Sequence, residues 1–254
     1  MFGLDPWQFW TIFAVTAFGG FVKGAIGFAM PLIMASAFAS ILPPQTALAA
    51  LILPVLTTNV HQALRQGPAA AAASVRNFRW HIAMVLAFLL LSAGFARTIP
   101  QGLMYLLLGG PILVFALWQL AGRPLTLPIH HRRRAEIATG IVGGLYGGIS
   151  GIWGPPLVVL LLSLGVAKQE QVRVQGVVFF LGAVGLTAAH LVSGILNAQT
   201  IPLSAMLCIP AFGGMLSGFA LQDRMDVGQF RRWTLVLLVL TALNLLRRSL
   251  SDWI

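Results

Sequence analysis

Gly143-Gly144-Leu145-Tyr146-Gly147-Gly148-Ile149-Ser150-Gly151-Ile152-Trp153-Gly154-Pro155-Pro156 sits inside a long apolar run. A helix is hard to continue through it. Glycine leaves the backbone unrestrained, and proline removes a donor and clashes with the turn before it. The same spacing occurs 124 residues earlier, as Gly19-Gly20-x3-Gly24-x2-Gly27-x3-Pro31. Lipid satisfies no backbone N–H or C=O, so an interruption there must face protein or a watery cavity. A duplicated pair of interrupted spans is the sequence pattern that points to a secondary-transporter binding site.

The composition agrees with a membrane setting. The chain is 58% hydrophobic and only 9% charged, where a soluble domain carries about 25% charged residues. Residues 1–6 hold no basic run and the first apolar stretch is too long for a signal-peptide core, so residue 1 is expected to begin the mature chain. One cysteine, Cys208, excludes an internal disulfide and reads as a small packing residue. The net charge of +10 comes from basic residues between or beside apolar runs, where orientation signals sit, so no nucleic-acid partner is expected.

Crossing a bilayer takes about 20 apolar helical residues. Segments 44–65, 78–98, 102–121, 172–194, 200–221 and 229–250 fit. Two more, 7–42 and 136–166, are longer and broken, and each holds one copy of the Gly/Pro pattern. The first is tight for two full spans, so short or re-entrant helices are expected in it. Gly94-Phe95-Ala96 returns as Gly218-Phe219-Ala220, and Ala116-Leu117 as Ala242-Leu243 after a two-residue slip. The expected fold is therefore an all-α polytopic membrane protein of two homologous, inverted repeats. Each repeat is a broken or re-entrant Gly/Pro-rich segment followed by three transmembrane helices. The first repeat is 1–122, the second 136–254, and a basic linker, 123–135, joins them. Arg123, Arg132, Arg133 and Arg134 place that linker in the cytoplasm. The loop near Arg97 is then outside and the loop with Arg65, Arg76 and Arg79 inside. If the repeats are inverted, both termini lie outside.

The acidic residues are Asp5, Glu136, Glu170, Asp223, Asp226 and Asp252, none inside a firm span. Intramembrane cation sites and carboxylate proton relays normally need one. Backbone carbonyls could still hold Na⁺, but an interior that is cationic or neutral suits an anion. Half-helices starting at Pro31 and at Pro155 or Pro156 would present N–H groups to it. Gly24, Gly27, Gly151 and Gly154 would open the backbone there. Gly20-x3-Gly24 also reads as a small-residue packing contact. Lys23 has two readings: a substrate or gating cation at mid-membrane, or a side chain snorkelling to an aqueous edge. Asn59 and His61, with Arg65 four residues on, are polar candidates after the first break. Arg173, Gln175 and His190 follow the second. Arg65 and Arg173 also fit interfacial anchors. His190 fits proton coupling or a histidine bonded to a carbonyl. Thr57, Thr58 and Ser150 could donate to a substrate oxygen. No nucleotide-binding glycine motif, metal-ligand cluster or nucleophile elbow occurs, so neither a cofactor nor a metal is expected and an enzyme is not.

Lys23-Gly24-Ala25-Ile26-Gly27-Phe28 with Pro31, and Gly147-Gly148-Ile149-Ser150-Gly151-Ile152-Trp153-Gly154-Pro155, resemble the two motifs of the sulfite exporter TauE/SafE family. That family is also called the 4-toluene sulfonate uptake permeases, and the resemblance covers essentially the whole chain. It implies secondary transport, often export, of sulfite, sulfonates or similar anions across the bacterial inner membrane. It implies a small anion and membrane lipids as partners, with a homodimer as the candidate assembly. The first copy has Ala29-Met30 where the second has Trp153-Gly154, so two equal anion cradles are not implied. The alternatives are a passive anion channel, or an intramembrane enzyme or assembly subunit.

Overall fold

The computed structural model describes residues 4–38, 41–93, 101–123, 131–150, 153–192 and 194–251. The regular structure among them is helical: α1 Pro6–Ile26, α2 Met30–Phe38, α3 Pro44–Leu64, α4 Pro68–Asn77, α5 Arg79–Ala93, α6 Gln101–Leu120, α7 Arg132–Ser150, α8 Gly154–Ser163, α9 Lys168–Val192, α10 Ile201–Arg224 and α11 Val227–Ser251. Five of the described helices are long and apolar enough to cross a membrane: α1, α3, α9, α10 and α11.

Both predicted interruptions are present as changes of helix. Gly27 ends α1 in the left-handed region at φ 100°, its N–H bonding back to Lys23 O. That is the glycine stop expected where no Cβ is tolerated. Ala29 follows at φ 74°, and α2 starts at Met30-Pro31. In the second copy α7 runs to Ser150, and α8 starts at Gly154 with proline in its first turn. One expectation is corrected. The first element is not a pair of short helices, because α1 has 21 residues and is long and apolar enough to cross a membrane by itself, leaving only α2 short.

The segment 78–98, expected to be an ordinary span, is described as a helix up to Ala93. Its helix α5 forms a bent pair with α4, turned by 76° at Phe78, a broken span or a re-entrant loop. The cause is local. Gly67 at φ 90° turns the chain after α3, Pro68 opens a helix, and the alanines that follow are the strongest helix formers. The basic run 132–134, expected to be linker, is the first turn of α7. There Arg132 bonds the Glu136 carboxylate at 2.8 Å and donates to Asn77 O at 3.0 Å, filling a carbonyl at the end of α4. Glu136, read as lying outside the spans, is nearly fully buried at this contact. The sequence matches at Gly94–Ala96, and Arg97 and His130, lie outside the described residues.

The chain divides into two compact units. The first comprises Met1–Ala71 with Val172–Asp226. Its centre is the pair α1/α10, with α2 and α3 against them. The pair is close because its glycines are interleaved. A Cβ at Gly20 would overlap the Ala211 carbonyl, and one at Gly24 that of Met215. Reciprocally, a Cβ at Gly214 would overlap Ala17 O and one at Gly218 Phe21 O. Small residues that let backbones touch are how membrane helices associate when lipid removes the hydrophobic drive. Ile12, Met30, Met34, Phe38, Leu207 and Ala211 fill the core beneath. The second unit comprises Ala72–Gln171 with Val227–Ile254. Here α7 packs on α5, with Gly140 and Gly144 against the α5 main chain, while α6 packs on α11 and α8 on α7.

Candidate functional site

The first unit buries a polar ladder between α1 and α3. Lys23, in the last turn of α1, is 1% exposed. Its ammonium donates to Thr58 Oγ1 at 2.9 Å and to Asn59 Oδ1. Thr58 is itself oriented, donating to Pro54 O at 2.5 Å. One turn on, the same pairing of the two helices recurs: Gln62 Nε2 donates to Gly27 O at 2.9 Å and to Val172 O at 2.7 Å. Met30, the first residue of α2, touches Thr58 through its sulfur. The ladder therefore abuts the start of the half-helix.

Gln175 closes this layer from α9. Its Oε1 lies where a Cβ on residue 27 would stand, so residue 27 must be glycine for space as well as for φ. Gln175 is 0% exposed, and neither Oε1 nor Nε2 has a hydrogen-bond partner among the described residues. Gln62 Oε1 is likewise buried without one. Buried polar atoms are almost always paired, and each exception asks for an unseen partner. Three such atoms gathered at Gly27, one turn of α3 from the residues that hold the buried ammonium of Lys23, make this the candidate binding site.

On a different face of α3, an open groove of about 640 Å³ is lined by Thr57, Val60, His61, Leu64, Arg65 and Phe212. His61 stacks on Phe219 and meets Phe212 edge-on. Arg65 lies 4.0 Å over Phe219 and bonds Asp223 at 2.7 Å and Gln222 at 2.5 Å.

The sequence candidates thus separate. Lys23, Gly27, Asn59 and Gln175 gather at the ladder. Lys23 turns its amine inward rather than snorkelling. Pro31 sits in the first turn of α2, beside Met30. Gly24 is committed to packing on Met215. His61 and Arg65 line the groove, as their i,i+4 spacing implied. Arg173 is held at the end of α3 by Gln66. His190 is half-buried near the end of α9. Gly154 and Pro155 open α8 in the second unit, with Pro155 buried. Gly151 and the side chain of Ser150 lie outside the described residues. Sequence reasoning missed Gln62. Its signal was present, because it lies four residues from Thr58 and three from Asn59 on one helix face.

Among the described residues no group of three or more His, Cys, Asp or Glu is placed to hold a metal. No curated protein and no solved structure matches the chain. The family described as Sulfite exporter TauE/SafE matches residues 12–245, nearly the whole length. Interrupted apolar helices, several helices fit to span and this match together say what kind of protein it is: the chain belongs to the sulfite exporter TauE/SafE family of multi-pass membrane transporters, not to an enzyme family.

Proposed function

We propose that the chain is a secondary transporter that exports small sulfur-containing or organic anions across the bacterial inner membrane by alternating access. The observation that carries this is Lys23. Its ammonium is buried, and its bonds are to the neutral oxygens of Thr58 and Asn59. A buried charge is costly unless it is paired, and an anion beside Thr58 and Gln175 would supply the pairing. The start of α2 adds N–H groups that lack helical partners, at the positive end of the helix dipole.

The closed character of the ladder favours a carrier over a channel, since ions passing through a pore need a continuous wet path. Duplication is supported by helix bounds, because α2 and α8, and α3 and α9, start 124 residues apart. It is supported too by the glycine-packed pairs α1/α10 and α7/α5, which correspond under the same offset. We take the repeats to be 1–122 and 136–254, inverted, with the basic linker cytoplasmic, and the assembly to be a homodimer. Coupling to protons through His190 or through the substrate is part of this reading.

The test is Lys23→Met in proteoliposomes. The isostere removes the charge and keeps the stem, so the protein should insert and melt near the wild-type temperature while saturable anion flux is lost. Unchanged flux at equal reconstitution would refute the assignment.

A further inference from the structure

We infer that the ladder is matched to singly charged oxyanions, and to those carrying an O–H above others, and that it rejects dianions. This rests on the transport reading and sharpens it.

The first step is a count of charge. Lys23 is the cation of the ladder. Arg65 bonds Asp223 and Gln222 on the groove side of α3. Arg173 bonds Gln66. His61 lies between the rings of Phe212 and Phe219. Around Lys23 and Gly27 stand Thr58, Asn59, Gln62 and Gln175, all neutral and each at most 1% exposed. One positive charge in a dry cluster balances one negative charge. A second would be buried without a partner, the arrangement proteins avoid most strongly.

The second step concerns lone pairs. Gln62 spends its amide nitrogen on Gly27 O and Val172 O, which fixes the orientation of the group. Its Oε1 is therefore an acceptor, buried and unpartnered. A fully deprotonated oxyanion offers such an oxygen only repulsion. An anion bearing an O–H donates to it. Gln175, with both Nε2 and Oε1 unpartnered, can donate to one anion oxygen and accept from a hydroxyl.

The experiment measures binding by calorimetry to the purified full chain in detergent. Methanesulfonate and sulfate compare one charge with two on a similar tetrahedral frame. Sulfite is titrated from the pH where it is hydrogen sulfite to the pH where it is the dianion. Methanesulfonate, whose charge is constant over that range, reports any change in the protein itself. Methanesulfonate should bind at least about tenfold tighter than sulfate. Sulfite binding should fall as it loses its proton, with methanesulfonate binding held. Gln175→Glu would place a negative charge against Gly27, in the ladder that Lys23 serves, and should abolish binding of both monoanions without lowering the melting temperature.

Sulfate binding as tight as methanesulfonate would overturn the charge assignment and leave the transport reading standing. Binding of neither charge class would overturn the transport reading, and this inference with it. Gln175→Glu that binds monoanions like the wild type would remove Gln175 from the site and overturn the amide part of the inference.

Discussion

Ser204 Oγ stands 3.3 Å from the carbonyl oxygen of Ala50. That carbonyl is the one Pro54, lacking an N–H, leaves without its helical donor in α3. The hydroxyl also accepts from Leu53 N at 3.1 Å. A proline in a membrane helix is tolerated when a neighbour refills the freed group, and Ser204 of α10 does so here. Ser204→Ala should therefore lower stability by about 1–3 kcal/mol. Thermal unfolding in detergent measures it, and Ser204→Thr, which keeps the hydroxyl, should lose less.

The adjacent glycines of α10 should respond with opposite signs. Among the described residues nothing stands within 4 Å of a Cβ at Gly213. Gly213→Ala should stabilise by roughly 0.5–1 kcal/mol through helix propensity alone. A Cβ at Gly214 would overlap the Ala17 carbonyl, and Gly214→Ala should destabilise by about 1–3 kcal/mol. Melting temperatures of the two variants, side by side, decide the matter.

Ala29 holds a left-handed backbone at φ 74° without being glycine. That conformation disfavours an L-residue by about 1–2 kcal/mol. Ala29→Gly should raise the melting temperature, and Ala29→Val should lower it. If the strain belongs to the working of the break, the glycine variant should also transport more slowly in the proteoliposome assay.

Asp223 pairs with Arg65 at 2.7 Å, but its side chain is 53% exposed. Exposed pairs contribute about 0–1 kcal/mol. Asp223→Asn should therefore change stability by less than about 1 kcal/mol, and any change should fade in high salt. A larger effect in the melt would mean the pair is drier than its exposure indicates.

Much of this was legible in the sequence because breaks are chemical. Gly27, Pro31 and Pro155 announce themselves by lacking a Cβ or an N–H, and the helices end and restart beside them. Lys23 was legible as an anomaly, though not its direction, since whether an amine snorkels depends on what α3 presents to it. The GxxxG reading and the backbone-opening reading of the same stretch were both right for different residues. Gly20 and Gly24 pack on α10, while Gly27 opens the chain. That division follows from which side of α1 faces α10, and periodicity does not give it. The bend between α4 and α5 escaped because no glycine or proline marks it at Asn77-Phe78-Arg79, and the carbonyl of Asn77 is filled by Arg132, 55 residues away. Gln62 escaped because an amide in a span reads as incidental until its two carbonyl partners are seen.

The interleaved glycines of α1 and α10 have a mechanical corollary. Turning either helix by one residue is a rotation of about 100°, and it would drive side chains into main chain at Ala17, Phe21, Ala211 and Met215. Such a seam does not creep. The two helices travel as a single strut or stay still, and a change of shape in this unit must be taken up elsewhere. The short stretch Gly27–Ala29, already held in dihedrals most residues shun, is the natural pivot.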